Sequence, residues 1–189
     1  MRSVYPFCIV LILFASGCAD SNQQTQPNVY YDVLSFVKRQ ITDLSAQKPV
    51  VHKTTVVNEK KSEEKTQVVN WNREFELFAQ ADINKPALRN SYQISRPDSL
   101  TYQYTLKSAD EKLAVQSLTV RLDSVTHQPR LIEATLLTHN PLYSSERHLV
   151  MESGLTDKKQ WQVQHYKLSG YQKLPYFDRN DFMVEGKLN

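Results

Sequence analysis

From Pro86 to the C-terminus the apolar residues recur at every second position, and this sustained period constrains the fold more than any other feature of the chain. Leu100, Tyr102, Tyr104 and Leu106 alternate with Thr101, Gln103 and Thr105, and Leu118, Val120 and Leu122 alternate with Thr119 and Arg121. A period of two puts alternate side chains on opposite faces of a pleated strand, so each segment reads as a strand with one buried face. Segments 146–152 and 161–168 alternate in the same way, and 182–188 reads as a last strand. Segment 131–138 is apolar enough to be covered on both faces. Turn-forming residues separate the strands at 108–111, 123–129, 140–141, 154–159 and 178–181. Short connections favour antiparallel neighbours, which gives a meander of about six strands.

Upstream of Pro86 the period is helical. Tyr30, Val33, Leu34, Val37, Ile41 and Leu44 recur at spacings of three and four, which predicts an amphipathic helix over 29–46 ended by Pro49. Segments 50–57 and 64–69 are rich in Val and Thr and flank Asn58 to Glu63, so they read as a β-hairpin with a long charged tip. Asn70 is suited to cap a second helix that carries Trp71, Phe75, Phe78 and Ala79 on one face. The predicted class is α+β: an N-terminal amphipathic helix, a β-hairpin, a second helix, then the antiparallel meander, which can curl as a half-barrel over the helices.

The first eighteen residues are of a different kind. One positive charge, Arg2, precedes an unbroken apolar run from Phe7 to Ala15, followed by Ser16-Gly17-Cys18. A membrane-spanning helix needs about 20 apolar residues, so this run reads as a signal peptide. With the small residues Ala15-Ser16-Gly17 directly before a cysteine, the leader resembles those of bacterial lipoproteins, which end in a lipobox; Ala15 stands where Leu is usual. The resemblance implies cleavage between Gly17 and Cys18 and acylation of Cys18, with palmitate-like chains holding the protein to a membrane. In the same family the residue after the cysteine directs sorting. Ala19 in that position, rather than Asp, points to the outer membrane of a two-membrane envelope. Burial of acyl chains contributes about 0.8 kcal/mol per CH₂, and more than one chain makes attachment durable. The division expected is therefore 1–17 signal peptide, 18–28 acylated cysteine and polar tether, and 29–189 a single domain. With Cys8 removed and Cys18 acylated, the mature chain has no thiol for a disulfide, a nucleophile or a metal.

Composition narrows the function further. Lys plus Arg number 23 against 20 Asp plus Glu, a net charge of +3 that gives no basis for nucleic acid as a partner. Besides Gly17 the glycines are Gly154, Gly170 and Gly186, each isolated, so no glycine-rich phosphate loop can form. Neither Gly-x-Ser-x-Gly nor His-Glu-x-x-His occurs in the sequence, and neither a catalytic role nor a cofactor is expected. A hairpin across Gly154 would make His148 and His165 cross-strand neighbours and candidate metal ligands, with Glu146 or Glu152 as a third; strand histidines edged by solvent are the alternative. Phe75, Phe78, Tyr102 and Tyr104 could line a ligand pocket or fill the core, and the run Tyr171 to Phe177 adds further aromatic surface. Two functions follow. The first is a lipid-anchored envelope module that contacts another envelope protein, which requires a filled core and an exposed apolar patch. The second is a carrier or sensor of a hydrophobic ligand or lipid, which requires an apolar cavity of about 300 Å³ or more.

Overall fold

The computed structural model describes residues 28–107 and 113–188. The leader, Gly17, Cys18, the tether through Pro27 and the turn at 108–111 lie outside these residues. The first helix, α1, runs Val33–Gln47. It starts later than the apolar stripe because Tyr30 and Tyr31 make tertiary contacts instead of helical ones. Tyr30 N–H donates to Asn84 Oδ1 (3.0 Å), its hydroxyl reaches the carbonyls of Leu88 and Arg89, and Tyr31 N–H donates to the Tyr104 hydroxyl (2.9 Å). Asp32 then caps the helix by accepting from Ser35 N–H (2.9 Å), and Lys48 closes it in a left-handed conformation.

Strand β1 (Val51–Val57) pairs with β2 (Lys60–Thr66) over its whole length. The long charged tip expected at Asn58 to Glu63 is instead a two-residue turn, Asn58-Glu59, with both φ angles positive (46° and 69°). The charges of Lys60 to Lys65 belong to an edge strand with both faces in water, where they discourage pairing with a further chain. Asn70 caps the next helix as expected, accepting from Arg73 N–H (3.1 Å). That helix breaks at Phe75 (φ −102°, ψ 11°) into α2 (Trp71–Glu74) and α3 (Glu76–Gln80). A 3-10 turn, Pro86–Leu88, leads into the sheet.

The remaining strands are β3 (Tyr92–Ser95), β4 (Thr101–Leu106), β5 (Val115–Leu122), β6 (Pro129–His139), β7 (Ser144–Leu155), β8 (Trp161–Lys173) and β9 (Asn180–Leu188). Among the described residues these and the hairpin form one nine-stranded antiparallel sheet in the order β2-β1-β9-β8-β7-β6-β5-β4-β3. The sheet is therefore open, with β2 and β3 at its edges, and richer in strand than the sequence pattern indicates. The hairpin is not separate from the meander: β1 pairs with β9 from Val51↔Leu188 to Val57↔Phe182. The last turn also differs, because 180 and 181 already belong to β9 and the chain reverses at 174–177 instead.

One face of the sheet is dry. Leu118, Val120, Ile132, Ala134, Leu136, Leu149, Met151 and Tyr166 pack there with Val33, Phe36, Val37 and Leu44 of α1 and with Trp71, Phe75 and Phe78. On β6 only alternate residues are buried and Leu137 is exposed, so segment 131–138 is covered on one face and not on both. A bulge between Glu152 and Ser153 interrupts the β7–β8 ladder. Beside it, the buried Gln40 of α1 accepts from Val163 N–H (2.8 Å) and donates to Trp161 O (3.3 Å), so one helical side chain satisfies the irregular strand.

Candidate functional site

The four rings marked in the sequence fall into two separate packed groups. Phe75 and Phe78 contact each other edge-on at 5.8 Å, and Phe75 also meets Trp71 at 5.2 Å and Tyr166 at 5.3 Å. Tyr102 stacks on Tyr104 at 6.4 Å, Tyr30 meets Tyr104 at 5.3 Å, and Tyr31 meets Tyr102 at 6.2 Å. Phe75, Phe78 and Tyr104 are buried. Their faces are occupied by other side chains of this chain rather than aimed into shared space.

The histidines separate too. The β7–β8 register pairs His165 with Glu152 and His148 with Ser169, so the two histidines lie four residues apart along β7, about 13 Å, instead of side by side. Each has its own carboxylate partners on the outer face. His148 Nε2 lies 2.7 Å from Glu146 Oε1, and its Nδ1 is 3.3 Å from Thr135 Oγ1. His165 sits between Glu152 (Nδ1 to Oε2, 3.1 Å) and Glu185 (Nε2 to Oε1, 2.8 Å) and so ties β7, β8 and β9 together. The hydrogen bond from His165 holds the Glu185 carboxyl below the usual carboxylate range. With both ring nitrogens engaged, His165 presents no free lone pair. Among the described residues, no group of three or more His, Asp or Glu is arranged to hold a metal ion.

A polar chain that the sequence reading missed runs through the dry face. The Tyr166 hydroxyl donates to Glu74 Oε1 (2.9 Å), and Lys53 Nζ donates to Glu74 Oε2 (2.8 Å). Burial, reinforced by Glu74, pushes the Tyr166 hydroxyl far up, so the ring stays a neutral donor. Tyr166 lies across Gly186, its register partner on β9, where a Cβ would collide with the ring. These contacts clamp α2 to β1 and β8. Glu74, Lys53 and Tyr166 lie in three different elements, and no spacing in the sequence brings them together.

An exposed apolar feature lies at one end of the sheet. The register Ser144↔Lys173 sets the β6–β7 turn beside the β8–β9 turn. In the first turn Asn140 Oδ1 accepts from the N–H groups of Leu142 and Tyr143 (both 2.9 Å), which leaves Leu142 73% exposed. In the second, Leu174-Pro175-Tyr176-Phe177 closes with Phe177 N–H on Leu174 O (3.4 Å), and Tyr176 has φ +67°. That pattern, with Pro second and a positive φ third, is that of a type II turn, whose third position ordinarily takes glycine or asparagine. Tyr176 is fully exposed and Phe177 is 69% exposed. A groove of about 340 Å³ lies between the turns, lined by His139, Asn140, Pro141, Tyr143, Leu174 and Pro175 among others. Nearby charge is balanced: Arg179 bonds to Asp181 (2.8 Å) and covers the Tyr171 ring at 4.0 Å. The sequence marked the run Tyr171 to Phe177 as aromatic, but the neighbouring Leu142 comes from the strand register alone.

Compared with known protein families, characterised proteins and solved structures, the chain matches none. Among the described residues no helix is long and apolar enough to cross a membrane.

Proposed function

We propose that this chain is a lipid-anchored protein of the bacterial envelope, held to a membrane through Cys18, that works as a non-catalytic contact or accessory module. The observation that carries the module reading is the pairing of buried aromatic rings packed on one another with an exposed apolar tip. Phe75, Phe78 and Tyr104 are packed among other rings, while Leu142, Tyr176 and Phe177 face solvent. A hydrophobic-ligand carrier puts such rings around a cavity, whereas a contact protein puts them outside. The open antiparallel sheet with helices on its dry face accords with a curved half-barrel that serves as a stiff platform for the tip. The anchor rests on the sequence Ala15-Ser16-Gly17-Cys18.

Metabolic labelling of the full chain with a clickable fatty acid tests the anchor. Wild type takes up label and sediments with envelope membranes, and Cys18→Ser does neither. Unlabelled wild type overturns the reading.

A further inference from the structure

We infer that the paired turns carrying Leu142, Leu174, Tyr176 and Phe177 insert into the surface of the lipid bilayer to which the chain is anchored. The inference rests on the anchor reading above and adds a second, non-covalent membrane contact made by the domain itself.

Three observations point to lipid as the occupant. The first is shape. The apolar residues stand on two adjacent turns that protrude from the end of the sheet, and Leu142 and Tyr176 are thrust outward. A protruding wedge needs a yielding medium, and a bilayer interface takes aromatic rings at headgroup depth. The second is backbone conformation. Tyr176 occupies a φ of +67°, which is costly for a bulky side chain, and the turn displays its ring without any packing inside the protein. The fold gains nothing from this choice over glycine.

The third is reach. The chain enters the domain at Tyr30, which packs on Tyr92 (5.7 Å) and Tyr104 (5.3 Å). Tyr92 pairs with Leu106 at the end of the β3–β4 ladder that lies toward the tip. Four to five strands at about 4.8 Å each and some five residues at about 3.3 Å each put the tip roughly 25–30 Å from that entry point. The polar segment from Cys18 to Asn28 extends to at most about 35 Å. Acyl chains on Cys18 and the tip can therefore reach one bilayer together. Because Lys173 and Arg179 are matched by Asp178 and Asp181 around the tip, insertion depends on apolar contact and needs no anionic lipid.

The test uses the acylated full chain in phosphatidylcholine vesicles with brominated acyl chains, which quench tryptophan at short range. Phe177→Trp puts a reporter on the tip, and Val125→Trp puts one on the β5–β6 turn at the opposite end of the sheet, where Val125 is 84% exposed. The expected result is quenching of the tip reporter at least about twofold stronger than that of the distal reporter, each corrected for Trp71 and Trp161. A tip reporter quenched no more than the distal one overturns the inference even though the anchor holds.

A second arm removes the anchor. The mature Cys18→Ser chain should bind the same vesicles weakly, and Tyr176→Gly should reduce that binding by about tenfold while raising thermal stability, because glycine fits the turn. Equal binding by both chains contradicts insertion. Loss of the acyl chains in the labelling experiment would remove the anchor but leave this arm intact, so the two failures are distinguishable.

Discussion

Single residues decide where this sheet can close. Gly186 is needed because Tyr166 lies across it, and the ring must lie there for its hydroxyl to reach Glu74. Gly186→Ala is expected to cost about 1–3 kcal/mol by overpacking, read as a lower urea midpoint with unchanged slope. Tyr166→Phe removes the donor and leaves Glu74 with Lys53 alone, so a loss of about 1 kcal/mol is expected. At this scale the sequence was nearly silent. Gly186 reads as one more isolated glycine, and no pattern in the sequence singles out Glu74 or Lys53. Their connection exists only because the order of the sheet brings β1, β9 and β8 together beneath α2.

At the scale of elements the sequence pattern was largely readable, and its failures have physical causes. The helix of residues 33–47, the hairpin, the Asn70 cap and the alternating strands follow from period and capping chemistry. The first helix begins at Val33, capped by Asp32, and not at Val29 because tertiary hydrogen bonds claim Tyr30 and Tyr31, and such bonds leave no mark in a local period. Asp32→Ala should cost about 1 kcal/mol of stability in a denaturant titration. The charged segment at 58–63 resembled a mobile tip because both faces of an edge strand are solvated, which removes the alternation that marks a strand. Glu59→Gly is expected to stabilise the hairpin by about 1 kcal/mol, since glycine tolerates the φ of 69° there. Strand β3 escaped notice because it has four residues and only Tyr92 is buried. The histidine pair failed for want of register: a hairpin centred two residues away places different side chains opposite each other.

For the whole molecule, the joining of β1 to β9 ties the beginning of the domain to its end. Ending the chain at Arg179 removes β9, separates the hairpin from the meander and exposes Tyr166, so loss of cooperative unfolding is expected by calorimetry. Two carboxyls give stability opposite dependences on pH. The Glu185 carboxyl is held low by His165, so its contribution is full above the unfolded value of about 4.3 and fades as pH falls through its folded value. The deficit of Glu185→Gln should therefore be present at neutral pH and vanish in acid. Asp82 is raised, first by burial, so its contribution is full below its unfolded value and is lost as pH rises through the folded one. Asp82→Asn should remove that loss and be the more stable protein at pH 7.

The account turns on a core filled by the protein's own side chains, with the functional apolar surface outside. Native mass spectrometry of residues 19–189, purified without detergent and compared with the denatured mass, tests this most directly. The bare polypeptide mass is predicted. A reproducible added mass that extracts into organic solvent would contradict it, make the protein a carrier of a hydrophobic ligand, and direct mutation to Phe75, Phe78, Tyr102 and Tyr104.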